Sequence, residues 1–195
     1  MKKRVDLPEK KYEGYIFDLD GTLVDSMPLH YRAWREALAR AGAPDHVFRA
    51  DEFYSCGGKS ANDVVRFLNE RYGMHMDAAS TAADKRRIYL EMLEKEGMQP
   101  IREVVEFVHS LGDAPKAIAT GSAMPGASRT LAAAGLSGLF DVILTPDEVE
   151  HGKPAPDMFL KAAELLGVSP DRCVVFEDAE PGMKAAAAAG MDCVQ

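Results

Sequence analysis

The stretch Tyr15-Ile16-Phe17-Asp18-Leu19-Asp20-Gly21-Thr22-Leu23 decides how this chain reads. Three consecutive bulky apolar residues suit a buried strand and are too few for a helix. The two aspartates that follow are two residues apart, so an extended backbone points both side chains the same way. A nucleophile and its acid/base partner need such an arrangement. Taken alone, the pair is equally a strand end running into an Asp-Gly turn. Asp-x-Asp also arises by chance in a chain this acidic.

Four more short apolar runs have the texture of buried strands: Lys116-Ala-Ile-Ala-Thr120, Asp141-Val-Ile-Leu144, Cys173-Val-Val-Phe176 and Asp192-Cys-Val194. Helical patterns lie between them. Ile101, Val104, Val105, Val108 and Leu111 share one helical face, as do Phe159, Ala162, Ala163 and Leu166. Gly112, Gly135, Gly167 and Gly190 stand where helices end in a left-handed residue. Pro156 suits the first turn of its helix, and another helix begins near Pro125. The alanines from Ala185 to Ala189 read as a tightly packed helix. Strand–helix alternation in this half predicts an α/β fold, a Rossmann-like parallel sheet with helices on both faces. Chemistry in such sheets gathers at the carboxyl ends of the strands.

Between the first and second strands the rhythm breaks. Residues 26–98 carry helical patterns only, with apolar faces at Leu29, Ala33, Trp34, Ala37 and Leu38, at Val64, Val65 and Leu68, and at Ile88, Tyr89, Met92 and Leu93. This is far longer than an ordinary crossover. The expected organisation is a discontinuous core, residues 1–25 and 99–195, with an inserted helical domain at 26–98. Trp34, Phe53 and Tyr54 are expected in the core of the insertion.

The 195 residues are 47% hydrophobic and 28% charged, which suits a globular protein rather than a disordered one. A formal net charge of −8 argues against a general binder of nucleic acid or anionic membranes. It leaves room for a small anionic substrate, which a few placed cations and helix N-termini can hold. Cys56, Cys173 and Cys193 are too few and too irregular for a disulfide framework or zinc site. Met1 to Arg4 begins like a signal peptide, but Asp6, Pro8 and Glu9 follow where an apolar run is required. No apolar stretch approaches the roughly 20 residues that span a bilayer. A cytoplasmic protein, monomeric or weakly dimeric, is expected.

Three other strand ends add to the aspartate pair. The second ends in Thr120-Gly121-Ser122, a hydroxyl and small residues that let backbone amides approach an anion; a plain strand–helix turn is the alternative. Past the third comes Gly152-Lys153-Pro154-Ala155-Pro156-Asp157, where prolines constrain the backbone around one lysine; a solvated surface lysine is the alternative. The fourth ends in Glu177-Asp178, two carboxylates suited to a hard cation or to a helix N-terminus. Together they are much harder to obtain by chance than any one of them.

In this order and setting, the four motifs resemble those of haloacid dehalogenase superfamily phosphotransferases with a helical cap of the C1 type. More narrowly, the chain is similar to the β-phosphoglucomutase-like branch and its sugar-phosphate phosphatases. Asp25-Ser-Met-Pro-Leu-His30, followed by Ala33-Trp34, is similar to the fructose-1-phosphate phosphatase type within it. The resemblance implies Asp18 as nucleophile and Asp20 as general acid/base. It implies Mg²⁺ held by Asp18, the Asp20 backbone carbonyl and Asp178, with Glu177 in the same cluster. Thr120, the Gly121 amide and Lys153 would hold the transferring phosphoryl group. An aspartate at position 20 also disfavours the dehalogenases.

The cap is expected to choose the substrate. Gly57-Gly58-Lys59-Ser60-Ala61 resembles the cap loop that faces the active site in this branch, and Ala61 falls where phosphoglucomutases place an arginine for the distal phosphate. Lys59 could substitute for it. Lys85 aligns roughly with a cap lysine or stands on a solvated helix face. His30 contacts Asp20 or the cap hinge, or else simply bonds backbone at a helix start. The leading expectation is an Mg²⁺-dependent phosphatase of a small phosphorylated sugar or polyol. A sugar-phosphate mutase and a non-catalytic binding protein are the alternatives, and the presence of Asp18, Asp20, Lys153 and Asp178 speaks against the last. The chain stops at Gln195, just into the fifth strand region, where relatives usually continue a little further.

Overall fold

Residues Gly14–Phe17 form β1, buried along its whole length as its run of bulky apolar residues requires. The computed structural model describes residues 8, 10–57 and 59–195, so the basic start of the chain, with Asp6 and Glu9, and Gly58 of the expected cap loop lie outside the described residues. β2 (Lys116–Ala119), β3 (Val142–Leu144), β4 (Cys173–Phe176) and β5 (Asp192–Val194) complete one sheet in the order β3-β2-β1-β4-β5. Every pairing is parallel, with Phe17 opposite Ile118 on one side and Phe176 on the other. Strands are added to one side of β1 and then to the other. A crevice therefore opens at the carboxyl end of β1, where the direction of winding reverses.

Helices cover both faces, as expected. On one, α7 (Asp157–Leu166) and α8 (Glu180–Ala188) bury Met158, Phe159, Ala162, Ala185 and Ala186 against Ile16, Ala117 and Val175. Alanines at these positions let α8 lie close to the sheet. On the other, α5 (Arg102–Ser110) brings Phe107 against Tyr15 and Phe176, whose ring stacks on Phe17 at 4.5 Å. Between β2 and β3 runs α6 (Met124–Ala133), with proline in its first turn. Pro156 sits one residue earlier than expected, as the N-cap of α7. Gly112, Gly135, Gly167 and Gly190 all have positive φ, as helix-ending glycines should.

The described residues divide into two compact units, one of residues up to 25 and 98–195, the other Ser26–Gly97. Within the first, the chain departs and returns through a short antiparallel neck. Val24 bridges Pro100, the Asp25 amide donates to the Gln99 carbonyl at 2.9 Å, and the Ile101 amide to the Leu23 carbonyl at 2.8 Å. The second unit holds α1 (Met27–Arg40), α2 (Ala50–Ser55), α3 (Ala61–Tyr72) and α4 (Ala78–Glu96). Trp34, Leu38, Phe48, Phe53, Val65 and Leu68 form its core. Tyr54 corrects one expectation: it is 58% exposed. Helix α2 is only six residues long; with Phe53 turned inward, the next side chain points about 100° round the axis, toward solvent. Among the described residues no helix is long and apolar enough to cross a membrane.

The core assignment makes a paired prediction. Phe159 is fully buried and Leu165, on the same helix, is half exposed. Phe159→Ala is expected to cost about 3–5 kcal/mol in urea unfolding, and Leu165→Ala no more than about 0.5 kcal/mol. Equal losses would contradict this account of α7.

Candidate active site

Three of the candidate residues stand one position beyond a strand with their amides still bonded in the sheet. Asp18 donates to the Phe176 carbonyl at 2.9 Å, Thr120 to Leu144 at 3.0 Å and Glu177 to Val194 at 3.0 Å. The sheet itself therefore fixes where these side chains begin.

Lys153 reaches into this row from the loop after β3. Its ammonium donates to Asp18 Oδ1 at 2.7 Å, Glu177 Oε2 at 2.6 Å and the Ala119 carbonyl at 2.9 Å. Three protons thus meet three acceptors. All three side chains are buried, Glu177 to 1% and Lys153 to 5% exposure. The solvated-lysine alternative is thereby excluded. Glu177 Oε1 accepts the Ala179 amide at 3.0 Å, so both of its oxygens are engaged. Gly182, in the first turn of α8, lies so close that a Cβ there would strike the Glu177 carboxylate. Gly21 meets Asp178 in the same manner and also has φ +93°, a conformation that favours glycine. Thr22 Oγ1 donates to Asp178 Oδ1 at 3.3 Å.

Burial is the largest influence on Asp18 and pushes its carboxyl well above the usual range; Lys153 opposes this, and the charges of Glu177 and Asp20 push it up again. Asp178 is open to solvent at the rim, yet the surrounding protein and the Glu177 charge raise it to about 6. Burial pulls the Lys153 ammonium down, but Asp18 and Glu177 outweigh it and hold the proton more tightly than usual. One positive charge thus faces a surplus of negative ones.

One oxygen from each of Asp18, Glu177 and Asp178 lies within 4.8 Å of the others. Carboxylate oxygens are the hard donors that Mg²⁺ takes. Burial first, and then the neighbouring carboxylate charges, raise Asp18 and Asp178, and a divalent cation would favour their charged forms. The donor set fits such an ion. Asp18 and Asp178 are its better-placed members, because Glu177 already serves Lys153 and Ala179.

Thr120 is fully buried, and its Oγ1 accepts the Ser122 amide at 3.0 Å. At Gly121 a Cβ would meet nothing within 4 Å, which leaves open space around the backbone for an anion. Ser122 Oγ donates to Asp20 Oδ2 at 2.6 Å. Neither this bond nor the tight fit of Gly182 was expected. The first joins residues 102 apart, and the second depends on a helix crossing that local sequence does not encode.

The expected cap residues all lie in the second unit. Ser60 is the N-cap of α3: its Oγ accepts the Asp63 amide at 3.2 Å and donates to the Asp63 carboxylate at 2.7 Å. The Ser-x-x-Asp spacing signals that role. Lys59 is exposed, 5.8 Å from the Phe67 ring. Lys85 is half-buried, bonds His30 Nδ1 at 2.8 Å and lies over the rings of Trp34 and Tyr89. His30 stacks on Tyr89 with centroids 4.0 Å apart. Neither a solvated Lys85 nor a His30 bonded only through its backbone survives.

The chain is similar to known proteins over most of its length. The family model for haloacid dehalogenase-like hydrolases matches residues 12–190. Fructose-1-phosphate phosphatase YqaB of Escherichia coli is 38% identical over 95% of this chain and 96% of its own. Hexitol phosphatase A of the same organism is 36% identical over 91% of this chain and 80% of its own. A β-phosphoglucomutase of Mycobacterium bovis is 35% identical over 92% and 78% respectively. Among solved structures, CbbY from Rhodobacter sphaeroides in complex with phosphate has a TM-score of 0.80 at 27% identity, covering 93% of this chain and 84% of that one. The family model spans nearly the whole chain, and this protein is a member of the haloacid dehalogenase-like hydrolases.

Proposed function

We propose that the protein is an Mg²⁺-dependent phosphatase of a small phosphorylated sugar or polyol. The observation that carries this reading is the Asp18 carboxylate, buried at the carboxyl end of β1 and held by Lys153. Relatives named fructose-1-phosphate phosphatase and hexitol phosphatase support the substrate class.

In the first half-reaction, an Asp18 oxygen bonds to phosphorus while the bond from phosphorus to the sugar oxygen breaks. Asp20 gives its proton to that leaving oxygen. In the second, Asp20 takes a proton from water, whose oxygen attacks phosphorus and frees Asp18 and inorganic phosphate. The Thr120 hydroxyl and the Gly121 amide hold phosphoryl oxygens by hydrogen bonds. Lys153 contributes mainly its charge there, because its three protons already have acceptors. Asp18, Asp178 and the Asp20 carbonyl would hold Mg²⁺, with Glu177 beside them. The ion supplies the charge that lets an anionic carboxylate meet an anionic phosphate. Residues 26–97 act as the cap that selects the substrate, with His30, Lys59, Ser60 and Lys85 as its candidate contacts.

A second reading is a sugar-phosphate mutase, supported by relatives named β-phosphoglucomutase. The uncharged Ala61 counts against a grip on a distal phosphate. Glucose 1-phosphate converted to the 6-phosphate without net phosphate release would favour the mutase.

Phosphate release from a panel of hexose and hexitol phosphates is expected only when Mg²⁺ is present. Failure on every phosphomonoester tried would sink the phosphatase. Asp18→Asn is expected to fold and to lose turnover entirely; measurable steady-state activity would remove Asp18 as nucleophile. For Asp20→Asn a loss of about 10²–10⁴-fold in kcat is expected, and unchanged turnover would contradict its role.

Stability should also report the ion. The folded protein keeps the Asp178 proton up to about pH 6, above the ordinary aspartate value of 3.8, so the metal-free fold binds more protons than the unfolded chain between these limits. Its stability from this group falls as pH rises through that window. Added Mg²⁺ is therefore expected to raise Tm more at pH 7.5 than at pH 4.5, measured by thermal unfolding. Equal gains at the two pH values would contradict binding at this carboxylate cluster.

A further inference from the structure

Ser122 carries a hydroxyl near these strand ends that the proposed chemistry leaves without a task. A serine just before a helix ordinarily caps it. Here the N-cap of α6 is Ala123, and no side chain caps the helix. The Ser122 hydroxyl points elsewhere, donating its single proton to Asp20 Oδ2 at 2.6 Å across 102 residues of sequence. The position from which it does so is itself fixed. The Ser122 amide is bonded to Thr120 Oγ1 at 3.0 Å, and the Thr120 amide is bonded into the sheet at Leu144. A continuous chain of hydrogen bonds thus runs from β3 through Thr120 and Ser122 to the Asp20 carboxyl.

We infer that Ser122 is a positioning residue for Asp20, holding its carboxyl in the orientation from which it exchanges a proton with the leaving oxygen and with water. The inference rests on the acid/base reading of Asp20 given above. Asp20 is only partly buried and stands in the turn after β1, and its side chain has two rotatable bonds. A short hydrogen bond to a hydroxyl anchored just beyond the neighbouring strand restricts that freedom. Ser122 neither gains nor loses a proton in the reaction. Its contribution is geometric, and misplacement of a proton donor by about 1 Å can cost about 10²-fold in rate.

Leaving-group chemistry provides the test. An alkoxide such as the sugar oxygen needs protonation as it departs, whereas 4-nitrophenolate departs without it. Ser122→Ala is expected to lower kcat for fructose 1-phosphate about 10- to 100-fold with KM little changed. It should alter the single-turnover release of 4-nitrophenolate from 4-nitrophenyl phosphate by less than about threefold. Ser122→Thr, which keeps the hydroxyl, should restore most of the loss. Circular dichroism and thermal unfolding establish that each variant is folded. Equal losses on both substrates, a raised KM with unchanged kcat, or no loss at all would overturn the inference. Asp20→Asn, run alongside, separates the two layers. If it discriminates between the leaving groups and Ser122→Ala does not, only the positioning role fails. If Asp20→Asn itself shows no discrimination, or the wild type does not hydrolyse fructose 1-phosphate, the acid/base or substrate reading fails, and this inference falls with it.

Discussion

One buried ammonium ties the strand ends of the sheet together. Lys153 joins the end of β1 through Asp18, the end of β2 through the Ala119 carbonyl and the end of β4 through Glu177. Removing a charge from water costs several kcal/mol unless its partners are close and complete in number. Here each of its protons has an acceptor, and two of the acceptors are anions. Loss of Lys153 would leave the Asp18 and Glu177 carboxylates buried without their shared cation, so the three strand ends must keep their spacing. Asp18 and Lys153 are 135 residues apart in sequence, and the pair exists only once the sheet has formed.

Negative charge exceeds positive charge in that cluster, and its carboxyl groups are also shielded from water. Asp18 and Asp178 would hold their protons past the ordinary aspartate range in the absence of a cation. Two glycines permit this crowding of carboxylates: Gly21 beside Asp178 and Gly182 beside Glu177. Any side chain at either position would push a carboxylate out of place. The backbone thus comes unusually close to the acidic groups of the site.

The fold was largely legible in the sequence because period and length carry it. Short apolar runs such as Ile16-Phe17 and Cys173-Val-Val-Phe176 can only be buried strands, and helix-ending glycines mark the connections. The main carboxylates and Lys153 were legible through their motifs. What escaped depends on side chains meeting across the fold. Tyr54 faces solvent because a short helix can bury one side only, which the apolar character of the residue hides. Ser60 caps its own helix, a local signal that its place in the cap loop obscured. The Ser122–Asp20 bond and the Gly182–Glu177 approach join elements whose packing no neighbouring residue announces.

The antiparallel neck at Val24 and Pro100 also bears on how the chain reaches its native state. β1 must pair with β2, yet residues 26–97 separate them. Searching for a partner across a flexible segment of that length carries an entropic cost that grows with the logarithm of the loop. A ribosome delivers all four helices of the second unit before β2 emerges. Once those helices have packed, the long tether becomes a folded body, and β1 waits for a strand close at hand. A folded insertion thus shortens the effective distance over which the central sheet must close.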